Sequence, residues 1–182
     1  MTRPANPTRS DAVRNRDLLV AAAREVLAEQ GLDAPMSAVA KRAGVGQGTL
    51  YRHFPDRLTL ARAVLDENVA HIEEVAARPG ATLADVLGVI TWQMIHSIAF
   101  VSLIRLSGEE TSQDLADRVR TAVDGLPTES HATGTRDTDD VMLAVAMVSG
   151  AVHGPTEQVR EATARRAWQL LGIEIGEVTP DH

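Results

Sequence analysis

Apolar residues recur along this chain at three- and four-residue spacing, with no sustained alternation of the kind a strand needs. Leu18, Leu19, Ala22, Ala23, Val26 and Leu27 form one stripe and predict a helix over 17–30, stopped by Gly31. Met36, Val39, Ala40 and Ala43 predict a short helix over 35–43, with Pro35 in its first turn. Gly44 follows, a residue that takes positive φ at no steric cost. Leu50 and Phe54 then share one face of a second short helix, 47–53. Gln47, Thr49, Arg52 and His53 lie opposite, with Tyr51 to one side. Pro55 and Asp56 punctuate, and Leu58, Ala61, Val64, Leu65, Asn68, Val69 and Ile72 predict a helix over 56–77.

The second half continues the helical period. Val86, Leu87, Val89, Ile90, Trp92, Met94, Ile95 and Ile98 onward leave little of a helix over 83–106 polar, the mark of burial on most sides. A more polar helix is expected over 112–123, and a Gly-, Thr-, Pro- and Asp-rich loop over 125–138. Two further helices follow, 138–152 and 156–171, separated by Gly154 and Pro155. The predicted fold class is all-α throughout, with a polar, mobile terminus over 1–14 that carries Arg3, Arg9 and Arg14 as a candidate basic arm.

A helix, a tight turn and a second helix with hydrogen-bonding side chains outward is the pattern of a helix-turn-helix, whose second helix enters the DNA major groove. Net charge is −7, which alone speaks against nucleic acid. Its distribution reverses that reading. Residues 1–62 hold ten Lys/Arg against six Asp/Glu, whereas residues 63–182 hold eight against nineteen. Such asymmetry predicts a nucleic-acid module joined to a part that does not touch nucleic acid.

Other chemistry finds little footing. The chain has no cysteine, so neither disulfides nor thiolate catalysis are available. There is no phosphate-binding loop, no dinucleotide fingerprint, and no metal-ligand spacing among the six histidines. The expectation is a non-enzyme without metal or cofactor. No apolar stretch reaches a membrane-spanning length and the N-terminus lacks the apolar core of a signal peptide, so the expected compartment is the cytoplasm.

The stretch from about Asn15 to Asn68 also resembles the TetR family of transcriptional regulators. The resemblance is carried by Ala40-Lys41-Arg42-Ala43-Gly44-Val45, by Gly48-Thr49-Leu50-Tyr51-Arg52-His53-Phe54-Pro55, and by Arg57, Leu58 and Leu60 beyond. Gly46 stands where many members have serine as the N-cap, a change that costs only a few tenths of a kcal/mol. Arg57 stands where lysine is common, which keeps the charge. The resemblance implies a three-helix DNA-binding domain, here 12–70, joined by a linking helix to an α-helical ligand-binding and dimerisation domain, 71–182. It implies a regulator, most often a repressor, that binds a palindromic operator as a homodimer and is released by a small molecule. The alternative is a constitutive DNA-binding dimer with no ligand.

Gln47 is the base-reading candidate, since glutamine bonds adenine N6 and N7 together. Gly48 would let the backbone approach closely. Thr49, Tyr51 and His53 are candidate phosphate contacts, and Arg52 a contact to base or phosphate. Lys41, Arg42 and Arg57 are candidate charged helpers. Trp92, Met94, His96, Phe100, Arg105, Met142 and Trp168 are candidate ligand-lining residues, because pockets are mostly apolar with a few placed polar groups. The helices over 138–152 and 156–171 carry more apolar positions than one face needs, which predicts a two-fold interface made by this pair.

Overall fold

The computed structural model describes residues 9–31, 33–96, 109–127 and 137–180, and every described regular element is an α-helix. The helices are α1 (Arg9–Gln30), α2 (Met36–Arg42), α3 (Gln47–His53), α4 (Arg57–Ala76), α5 (Leu83–His96), α6 (Glu109–Val123), α7 (Thr138–Ala151) and α8 (Glu157–Leu171). They fall into two compact units, residues 1–64 and 65–182, with the division inside α4.

The first unit closes around Leu19, Val20, Ala23, Val26, Val39, Leu50 and Phe54, all buried. Two details of α1 differ from the sequence pattern. The helix starts at Arg9 rather than near Asp17, so 9–14 of the expected mobile terminus is helical and the helix is eight residues longer at this end. Those residues lack an apolar stripe, but adding turns to an existing helix avoids the nucleation cost, and Asp11 sits favourably in the first turn. The buried face also includes Val20 and leaves Leu18 43 % exposed, a rotation of the stripe that periodicity among adjacent leucines does not resolve.

Between α2 and α3 the chain turns on Gly44, whose φ is +68°. The Val45 amide donates to the Ala40 carbonyl at 3.0 Å, and the Gly44 amide to Lys41 at 3.2 Å. This is a Schellman closure, which satisfies two otherwise orphaned helix-end carbonyls. A Cβ on Gly44 would meet nothing within 4 Å, so the penalty for a side chain there is purely one of backbone conformation. Gly44→Ala is therefore expected to destabilise the first unit by about 1–2 kcal/mol, read as a fall in the denaturant midpoint without a change of slope. α3 begins at Gly46 with no side-chain cap, and Asp56 caps α4 by accepting from the Thr59 amide and hydroxyl at 2.7 and 2.9 Å.

The second unit is built around α5, buried at Leu83, at 86–91 and at 93–95. Ile72 and Val75 of α4, Val123 of α6, Val141, Ala144 and Val148 of α7, and Ala164 and Trp168 of α8 share its core. Trp168 donates its indole N–H to the Thr91 hydroxyl at 2.9 Å, and that hydroxyl donates to the Leu87 carbonyl at 2.6 Å. The chain after α8 returns across α5. The Gly176 amide donates to the Ala84 carbonyl at 2.8 Å, and a Cβ on Gly88 would lie 2.5 Å from the Glu177 carbonyl oxygen. Glycine at 88 is what allows the two backbones to come so close.

α4 and α6 are tied by charge. The Arg118 guanidinium donates to both oxygens of Glu73 at 2.9 Å and to Asp66 at 3.2 Å. The guanidinium holds the Glu73 carboxyl below its ordinary range, mainly through these hydrogen bonds. A carboxyl whose folded value is depressed contributes stability above its unfolded value and loses it as pH falls through the folded one. Because Glu73 keeps 40 % of its side-chain surface, the contribution is expected near 0.5 kcal/mol. Arg118→Met should lower stability by that amount at neutral pH and leave it unchanged in acid below the depressed carboxyl, measured by urea unfolding at both pH values.

Candidate nucleic-acid interface

α3 is seven residues long, bracketed by the Gly44 turn and by Pro55. Leu50 is fully buried and Phe54, just past the helix, is buried too. The Arg16 guanidinium lies 5.7 Å over the Phe54 ring, a cation–π contact that covers its face. With that side anchored, helical spacing turns Gln47, Gly48, Tyr51 and Arg52 outward together, and all four are exposed. Tyr51 keeps half of its surface accessible. Thr49 and His53 flank this face and are half-buried.

The three charged helpers part company. Lys41 is exposed. Arg57 is half-buried, with its guanidinium 3.9 Å from Asp33. Arg42 is taken up by α1: it donates to Glu25 at 2.7 Å and to both oxygens of Glu29 at 3.1 and 2.7 Å. These bonds hold the Glu29 carboxyl low and the Arg42 guanidinium firmly charged. Arg42 thus serves as a strut between α2 and α1, a role visible only once Glu25 and Glu29 are placed one turn apart on α1.

Of the candidate ligand-lining residues, Met94 and Trp168 are buried in the core of the second unit and Met142 packs half-buried against it. Trp92 and His96 are brought together as stacked rings, 4.4 Å apart and 20° from parallel. The His96 ring nitrogens lie 2.9 Å from the Trp92 carbonyl and 2.8 Å from the Glu157 carboxylate at the start of α8. Phe100, Arg105 and the expected remainder of this helix lie outside the described residues. Gln93, which interrupts the apolar run of α5 but was not among the candidate site residues, is a polar side chain buried in the middle of that helix. Its signal was present: one amide among apolar neighbours on a helix buried nearly all round. On α7 and α8, Leu143, Met147, Val159 and Leu170 are exposed, Leu170 to 72 %.

Residues 19–64 match the sequence profile of bacterial regulatory proteins, tetR family. An HTH-type transcriptional regulator of Staphylococcus aureus (strain MRSA252) is 41 % identical over 76 residues, covering 38 % of this chain and 39 % of that protein. The chain thus spans about two fifths of the length of the curated relatives it matches. A TetR transcriptional regulator from Streptomyces coelicolor superimposes with a TM-score of 0.63 at 25 % identity, over 88 % of this chain and 98 % of that one. A TetR transcriptional regulator from Rhodococcus sp. RHA1 does so at 0.54 and 28 %, over 90 % and 98 %. These relatives are regulators rather than enzymes. Among the described residues no helix is long and apolar enough to cross a membrane.

Proposed function

We propose that the chain, whose residues 19–64 match the tetR family of bacterial regulatory proteins, is a member of that family: a cytoplasmic transcriptional repressor that binds a palindromic operator as a homodimer and leaves it on binding a small molecule. The observation that carries this reading is the outward face of α3, where Gln47, Gly48, Tyr51 and Arg52 stand exposed on a helix anchored by Leu50 and Phe54. Gln47 reads a base edge in the major groove; Tyr51, Thr49 and His53 fix the helix on phosphates; Arg52 and Lys41 add charge. Arg57 joins them at the start of α4, while Arg42 supports α2 from behind. The positive balance of residues 1–62 supports the same assignment.

A palindrome needs a two-fold reader. The exposed Leu143, Met147, Val159 and Leu170 on α7 and α8 support a dimer made by this helix pair from each subunit. Effector release follows if the ligand favours a conformation that alters the separation of the two α3 helices, with α4 as the continuous element that carries the change. Burial of Met94 and Trp168 in a packed core favours the second reading, a constitutive regulator without a ligand, as far as those two residues go. Sedimentation of the protein alone and with a bound duplex tests the assembly. Two chains in both states are expected, and a monomer on DNA contradicts the proposal. Leu143→Glu with Leu170→Glu should convert the dimer to monomer without unfolding it.

A further inference from the structure

We propose that Gln93 is the polar anchor of a small-molecule site in the second unit, and that its occupant is an uncharged, largely apolar molecule bearing an O–H or N–H donor. The inference rests on the effector-release reading above and gives the effector a chemistry. α5 buries two polar side chains, and they differ in one respect. Thr91 is satisfied on both sides, accepting from Trp168 and donating to Leu87. Gln93 is 3 % exposed; its Nε2 donates to the Asn68 carbonyl of α4 at 3.0 Å, while its buried Oε1 receives no donor from any described residue.

That orientation of the amide is fixed. Exchanging its oxygen and nitrogen would set two acceptors against each other at Asn68. The unmet acceptor is costly in the interior, and folded chains rarely keep one without a use. Leucine or methionine at this position would satisfy the helix pattern without it. A neutral carbonyl oxygen in an apolar core takes a hydrogen-bond donor, repels an anion, and gives too little to offset the desolvation of a full cation. The occupant is therefore a neutral donor on an apolar body.

The same amide gives the site a readout. Its donor end holds Asn68, which lies just past the division between the units, on the helix that begins at Arg57. A donor bound at Oε1 polarises the amide and tightens the bond to α4 at the other end.

The test uses the full chain and paired probes of matched shape that differ by one donor: phenol and anisole, indole and 1-methylindole, cyclohexanol and methoxycyclohexane. Binding is followed by calorimetric titration on wild type, Gln93→Met and Gln93→Leu, the second variant serving if the first does not fold. At least one hydroxyl or N–H member should bind wild type at least tenfold more tightly than its methylated partner, and the preference should vanish in the variant. Binding by no donor member, equal binding within every pair, or a preference that survives the variant overturns the inference. Duplex binding by the same samples is measured in parallel. DNA binding without a donor preference removes this inference and leaves the regulator reading intact; a donor preference without DNA binding does the reverse.

Discussion

Trp168→Ala is expected to remove about 4 kcal/mol of stability from the second unit. The side chain is 1 % exposed and is the largest of the fully buried residues, packed among α5, α7 and its own helix. Truncation deletes the whole indole, opens a cavity that the rigid helices cannot fill, and removes the hydrogen bond to Thr91. Thr91 keeps its bond to the Leu87 carbonyl, so the polar contribution to the loss stays small beside the cavity. A loss of this size is a large share of the 5–15 kcal/mol that holds an ordinary domain together. Urea unfolding reads it directly, with Trp92 left as the sole indole reporter in the variant. The neighbouring Gln169→Ala, at an exposed position on the same helix, should change stability by no more than about 0.5 kcal/mol. A Trp168→Ala loss below about 1.5 kcal/mol would contradict the described core.

Gln47→Ala should weaken binding to the preferred duplex by about 1–3 kcal/mol, roughly 5- to 150-fold, while leaving non-specific binding and helicity unchanged. Position 47 is exposed and makes no contribution to the core, so the variant folds as the parent does. The loss is confined to the base that Gln47 reads, and the selected motif relaxes at that position alone. Tyr51→Phe differs in kind: losing a phosphate contact should weaken all duplexes about equally and reduce the salt slope by about one unit. Leu50→Ala separates reading from folding, since that side chain is fully buried and its removal loosens α3 itself. Equal losses on specific and random duplexes for Gln47→Ala would place the residue among the phosphate contacts instead.

What the sequence made legible was set by local punctuation. α3 was read at 47–53 because Gly44, Gly46 and Pro55 leave the chain little choice about where a helix starts and stops there. The helices over 138–151 and 157–171 were likewise read to within a residue, because Gly154 and Pro155 separate them. The first eight residues of α1 were missed because an amphipathic signal is absent where a helix merely extends beyond its packed portion. Leu18 and Val20 were exchanged because a run of adjacent aliphatics does not state which way the helix is turned.

Side-chain roles depend on partners far away in sequence, and these were the least legible. Arg42 reads as a charged helper of the recognition helix, and its ion pairs with Glu25 and Glu29, 17 and 13 residues earlier, could not be read from the sequence. Trp168 reads as a candidate ligand-lining aromatic, and its hydrogen bond to Thr91, 77 residues away, could not be read from the sequence. Gln93 was the converse case, a polar residue on an apolar helix whose significance lies in the one acceptor that nothing described fills.

Selection of the purified, ligand-free protein on a random-sequence duplex library, with sequencing of the bound fraction, tests the central claim most directly. A two-fold symmetric motif, with half-sites about one helical turn apart and loosened at one position by Gln47→Ala, is the predicted result. Enrichment of no motif, or of one without two-fold symmetry, would contradict the account of α3 as the reading element of a dimeric regulator.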